Sequence, residues 1–149
     1  GANSLLSKVF ETYQPIAAKQ GIEISLETAH PDCSILVDEG RMLQVLKNLL
    51  ENALRYTPQG GKIALSAAVG VRIILRVDDS GSGIEAEDLP YVFERFYRAD
   101  KSRGGNAGKM GLGLAICKAL VTAMGGTITA ESDGKDLGTS MVVTFLSAP

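Results

Sequence analysis

Apolar residues recur through the first twenty positions at helical spacing. Leu5, Leu6, Val9, Phe10, Tyr13, Ile16 and Ala17 fall on one face, Pro15 predicts a kink, and Gly21 is placed to end the helix. The period then changes. IEISLE, residues 22–27, alternates apolar and polar as a half-buried strand does, and a short strand at 34–37 is expected to lead to Asp38, a fitting N-cap for a second helix over about 39–56. Pro58 and the Gly60-Gly61 pair mark a turn, after which KIALSAAV and VRIILRVDD read as two strands separated by Gly70. A short helical stretch around 89–94 precedes a loop over 97–109, long enough to expect a function. A third helix carries Leu112, Ala115, Ile116, Ala119, Leu120 and Ala123 until Gly125-Gly126 ends it, and TITAES and SMVVTF form two last strands joined by a turn around Gly134. Three longer helices and about five main strands predict an α/β two-layer sandwich.

Composition narrows this picture in three ways. At 149 residues and 45% hydrophobic content, the chain is expected to form one domain, 1–149, with GANS at residues 1–4 read as an expression remnant or linker. A net charge of −2 gives no general reason to expect nucleic acid, and no apolar run approaches the roughly 18 residues of a membrane span. Cys33 and Cys117 lie in unrelated segments without CxxC spacing, and His30 is the single histidine, so neither a zinc site nor a disulfide framework is suggested. A reduced, cytoplasmic setting fits this usage, with membrane anchoring of a longer parent protein left open.

The candidate chemistry begins inside the second helix. At about 100° per residue, Met42, Leu46, Leu49, Leu50 and Ala53 crowd one face, while Asn48, Asn52 and Arg55 lie within about 60° of one another on a polar stripe. A neutral amide oxygen can ligate Mg²⁺ without cancelling its charge, and Arg55 one turn on could meet a phosphate. Taken alone, the same amides are as readily explained as solvated or bonded to a neighbouring strand, and the features that follow change that balance. VDDSGSGI then places Asp79 at a strand end ahead of Gly81 and Gly83. Such an acid can accept from an adenine amino group while the glycines let backbone approach the ring, though a plain strand-to-loop turn has the same spacing. GGNAGKMGLG, residues 104–113, carries five glycines into the third helix, where backbone N–H groups favour an anion; neither GxxxxGK[ST] nor a strand-linked GxGxxG is present. Between residues 95 and 109, Arg95, Arg98, Lys101, Arg103 and Lys109 stand against the single Asp100, a local excess of four positive charges that would attract a polyphosphate.

In order, NLLENALRYT, DDSGSGI, VFERFYRAD, GKMGLGLAI and GTSMVVTF resemble the N box, glycine boxes and F box of the catalytic ATP-binding domain of sensor histidine kinases, over nearly the whole chain from about Asp38. The resemblance implies a Bergerat-type ATP-binding fold of the GHKL superfamily, a mixed sheet of about five strands packed on three helices with a mobile ATP lid at about 97–110. It implies Asn52 as the principal Mg²⁺ ligand with Asn48 beside it, and Arg55 and Tyr56 near the nucleotide. Asp79 matches the adenine-reading acid, and Gly81, Gly83 and Ile84 the first glycine box. Phe93 and Phe96 match the F box, and Tyr97 and Arg98 lid residues near the phosphates. Gly111, Leu112, Gly113 and Leu114 match the second glycine box, and Thr139 the last position around the base. Lys109 and Met110 depart from the family's usual small residues; Lys109 adds a phosphate contact or points into solvent.

Related ATPases of the superfamily, among them type II topoisomerases, mismatch-repair proteins and heat-shock chaperones, place a glutamate four residues before the metal-binding asparagine to activate water. Here that position is Asn48, and an amide is no general base, which favours phosphoryl transfer over hydrolysis. The family's acceptor histidine lies in an H-[ED]-x-x-x-P motif on a helical dimerisation domain, and His30, in TAHPDCS, does not match it. The expected function is therefore to bind Mg–ATP and donate its γ-phosphoryl group to a histidine on the protein's own dimerisation domain, upstream of a response regulator receiver domain. Asn48 and Arg55 would position phosphate, with no covalent nucleophile supplied by this chain. The isolated domain is expected to be monomeric and its parent a homodimer. The alternatives are a non-catalytic nucleotide-sensing module, or another ATPase or serine kinase of the superfamily.

Overall fold

A computed structural model describes residues 1–29, 35, 37–94 and 107–146; for residues 107–112 it describes the backbone alone. The elements run α1 (Ala2–Lys19), β1 (Glu23–Glu27), α2 (Glu39–Tyr56), β2 (Lys62–Val69), β3 (Arg72–Asp79), a single 3₁₀ turn (Leu89–Tyr91), α3 (Ala107–Ala123), β4 (Thr127–Glu131) and β5 (Thr139–Leu146). The expected strand at 34–37 falls largely outside the described residues, as do His30 and Cys33.

Local chemistry accounts for most of these boundaries. Asp38 caps α2, its side chain accepting from the Arg41 N–H at 3.0 Å. α1 and α3 end alike. Gly21 at φ +71° and Gly125 at φ +84° adopt the left-handed conformation that glycine tolerates, and the next residue bonds back into the last turn. These bonds run from Ile22 N to the Ala17 carbonyl and from Gly126 N to the Val121 carbonyl, both at 2.9 Å. Pro15 sits within α1 on its exposed side.

Two expectations need correction. Residues 2–4 are the first turn of α1, not a tail. Ala2 is fully buried, and Asn3 clamps Ala29 through two 2.8 Å bonds, one to its carbonyl and one from its N–H. The third helix also starts earlier than expected, at Ala107, so Gly108, Lys109 and Met110, expected in the loop or lid, lie within it. Alanine, lysine and methionine are good helix formers, and here they outweigh the interspersed glycines.

The sheet order is β1-β2-β3-β5-β4, with β1 and β2 parallel around the α2 crossover and every other pair antiparallel. Alternation directs Ile63, Leu65, Ile73, Leu75, Val77, Met141 and Val143 into one core with Leu6 and Val9 of α1, Leu46, Leu49 and Leu50 of α2, and Cys117 and Val121 of α3. α2 is the middle helix, packing against both α1 and α3. Among the described residues no helix is long and apolar enough to cross a membrane.

Candidate functional site

β3 carries its buried row, Ile73, Leu75 and Val77, to its last residue, and period two then aims Asp79 at the same helical side. Asp78, one residue earlier, faces the other way, where it pairs with Arg76 at 3.3 Å and accepts from the Ser140 hydroxyl. Of the two adjacent acids, one is tied into a surface ion pair and the other is presented to the site. Burial raises the Asp79 carboxyl above its ordinary range, partly offset by backbone N–H donors from Gly81, at 2.9 Å, and Thr139. Thr139 is itself buried and stands directly across from Asp79 in the β3–β5 register.

The loop after β3 is pressed between the end of α2 and the β4–β5 turn. Ser82 N donates to the Tyr56 carbonyl at 3.0 Å, and a Cβ added at Gly81 would come within 2.3 Å of that same oxygen. Gly83, at φ +70°, would place a Cβ 2.1 Å from the Gly134 carbonyl. Both glycines are thus required by close backbone approach, on opposite sides of one loop.

Ser132 is the joint of this assembly, and it carries no motif that would single it out in the sequence. Its Oγ accepts from Ile84 N at 2.9 Å and donates to the Gly138 carbonyl at 2.7 Å, tying the first glycine box to the approach to Thr139. Gly138 N in turn donates to the Gly81 carbonyl at 3.1 Å. A lone serine in a polar turn gives no signal of partners 48 residues away.

On α2, Asn48, Asn52, Arg55 and Tyr56 are all half-buried, whereas Lys47 and Glu51 are exposed, so the polar stripe lies along a partly enclosed face. The thiol of Cys117 on α3 donates to the Val45 carbonyl of α2 at 3.7 Å, and burial pushes it up to about 12, keeping it protonated. Gly113 and Leu114 on α3 are half-buried, and a Cβ at Gly113 would meet nothing within 4 Å among the described residues. Phe93 packs on the core with Lys118 Nζ 6.0 Å from its ring centroid. Tyr56, Asp79, Gly81, Gly83, Ile84 and Thr139 therefore converge, and α2 brings Asn48 beside α3. Phe96, Tyr97 and Arg98 lie outside the described residues, and the side chains of Lys109, Met110, Gly111 and Leu112 do likewise.

The model of the histidine kinase-, DNA gyrase B- and HSP90-like ATPase family matches residues 37–149. The chain belongs to that family. Within this ATPase family it is 37% identical over 144 residues to the sensor histidine kinase WalK of Bacillus subtilis (strain 168), a match covering 94% of this chain and 23% of WalK. It superimposes on the catalytic domain of histidine kinase ThkA with TM-score 0.82 at 27% identity, covering 97% of this chain and 91% of that one. ShkA, solved full-length in complex with AMPPNP, gives TM-score 0.84 at 32% identity over 99% of this chain and 31% of its own. ThkA has also been solved in complex with the response regulator protein TrrA, with TM-score 0.79 at 26% identity, covering 99% of this chain and 40% of that one. The chain is thus an ATP-binding domain of histidine-kinase type, and it spans about a quarter of the length of the sensor kinases it matches.

Proposed function

We propose that this domain binds Mg–ATP between α2, the first glycine loop and α3, and transfers the γ-phosphoryl group to a histidine on a separate phosphoacceptor domain of a longer sensor kinase. The observation that carries the choice of transfer over hydrolysis is position 48. Four residues before Asn52 stands an amide where a hydrolase of this family needs a carboxylate to activate water.

The residues present fit the nucleotide and its metal. Asp79, half-buried and already accepting two backbone N–H bonds, would receive the adenine amino group on its remaining lone pairs. Gly81 and Gly83 keep the floor beneath the base at backbone height. Asn52, with Asn48 beside it, offers hard neutral oxygen suited to Mg²⁺, and Arg55 adds a cation near the phosphates. When bound, Mg²⁺ spreads and neutralises the charge of the phosphate oxygens. Everything else this chain contributes is positioning and charge, which phosphoryl transfer chiefly needs. Tyr97, Arg98, Lys109, Met110, Gly111 and Leu112 complete the phosphate side of the site in this reading. The AMPPNP-bound ShkA supports the nucleotide, and the ThkA complex supports a response regulator as the downstream partner.

Incubating the domain with labelled ATP and a separately prepared acceptor domain should label the acceptor. Label on this chain itself would overturn the division of labour. Calorimetry supplies the second arm: Asn52→Ala should abolish Mg²⁺-dependent ATP binding, and unchanged affinity would remove the metal assignment.

A further inference from the structure

Glu51 stands four residues before Arg55 on α2, and at about 100° per residue the two lie about 40° apart around the helix. A carboxylate one turn N-terminal to a cation is the favoured order for an ion pair along a helix. The pair is not made. Glu51 is exposed, and its Oε1 instead accepts from the Tyr13 hydroxyl of α1 at 2.7 Å. Tyr13 is buried, so its hydroxyl has little water to turn to, and a hydrogen bond from such a phenol to a charged acceptor is several times stronger than a solvent-screened pair of side chains. The contest goes to α1. Half-buried Arg55 is left with no carboxylate at ion-pair distance among the described residues.

We propose that Tyr13 is a positioning residue for the phosphate side of the site: it draws the Glu51 carboxylate towards α1 and so keeps the Arg55 guanidinium unneutralised for the phosphates of the nucleotide. A carboxylate on Arg55 would occupy its N–H donors and set a negative charge against the incoming phosphates. The effect is electrostatic and requires no change of fold. The inference rests on the Mg–ATP reading of the site, in which Arg55 meets a phosphate.

Tyr13→Phe keeps the buried ring and removes only the hydroxyl, which frees the Glu51 carboxylate to swing through solvent within reach of Arg55. Calorimetry with Mg²⁺ should show ATP bound about twofold more weakly by Tyr13→Phe, the scale of one i,i+4 ion pair. Adenosine, which carries no phosphate, should bind as it does to the wild type, and its binding also reports an intact pocket. Glu51→Gln should change ATP affinity little in the wild type and restore it in Tyr13→Phe. In an Arg55→Ala background Tyr13→Phe should add nothing. A loss shared by adenosine, a loss that persists without Arg55, or a gain from Glu51→Gln of the same size in both backgrounds would leave Tyr13 a packing role only and overturn the proposal. If Arg55→Ala weakens ATP binding while Tyr13→Phe leaves it untouched, only this inference fails; if Arg55→Ala is also silent, the reading of Arg55 at the phosphates fails with it.

Discussion

Asp79 illustrates how much of the site is decided by one residue's burial. Its carboxyl is raised chiefly by desolvation, so the folded chain takes up a proton at higher pH than the unfolded chain does. For an acid shifted in this direction, the stabilising contribution is fully present below the unfolded value of 3.8 and is lost as pH rises through the folded value. At pH 7 the nucleotide-free domain therefore carries a buried charge that weakens it. Asp79→Asn should raise the melting temperature of the nucleotide-free domain by a few degrees at pH 7, with the gain shrinking as pH is lowered towards 4, while discrimination of ATP against GTP is lost. A lower melting temperature for the variant at pH 7 would show that the two backbone donors outweigh desolvation. Which of Asp78 and Asp79 faces the site was legible in the sequence, because alternation from Val77 leaves only one answer. The bond from the Cys117 thiol to the Val45 carbonyl was not, since it depends on how closely two helices pack.

Elements meet here through a few polar contacts whose loss is measurable. The Tyr13 hydroxyl donates to Glu51 Oε1 at 2.7 Å, joining α1 to α2, and both burial and that carboxylate push its ionisation well above the usual tyrosine range. Tyr13→Phe should cost about 1 kcal/mol in chemical denaturation, since the exposed Glu51 can turn to water while one cross-helix bond is lost. Ser132→Ala should cost more, about 1–3 kcal/mol, because the half-buried Ile84 N–H loses its partner. It should also weaken ATP binding, as the first glycine box is released from the β4–β5 turn. Unchanged affinity would show that the loop holds its shape through Tyr56 and Gly138 alone. Helix ends were readable in advance at Asp38, Gly21 and Gly125, where a local rule suffices. The start of α3 was not, because glycine density in 104–113 argued for loop while the residues between argued for helix.

At the scale of the molecule, ligand binding and folding are linked through the shared core. The leucines of α2 that fill the centre, Leu46, Leu49 and Leu50, sit on the same helix as Asn48 and Asn52, so nucleotide bound at the proposed site would act on the element holding the sheet together. Mg–ATP at one hundred times its Kd should stabilise the domain by about 2.7 kcal/mol and raise its melting temperature by roughly 8 °C. Asn52→Ala should abolish that shift. A full shift in the variant would place the binding energy elsewhere.

By itself the sequence determined most of the elements, the caps at Asp38, Gly21 and Gly125, the buried rows of the strands and the ordered motifs of the family, because each of these follows from periodicity or local backbone chemistry within a few residues. Only the tertiary structure decided that the opening residues belong to α1, that Ser132 joins the glycine box to the β4–β5 turn, and that the Cys117 thiol meets the Val45 carbonyl. Those contacts join residues 26, 48 and 72 positions apart. At such separations the partner is chosen by how helices and strands pack, and no local pattern in the chain encodes it.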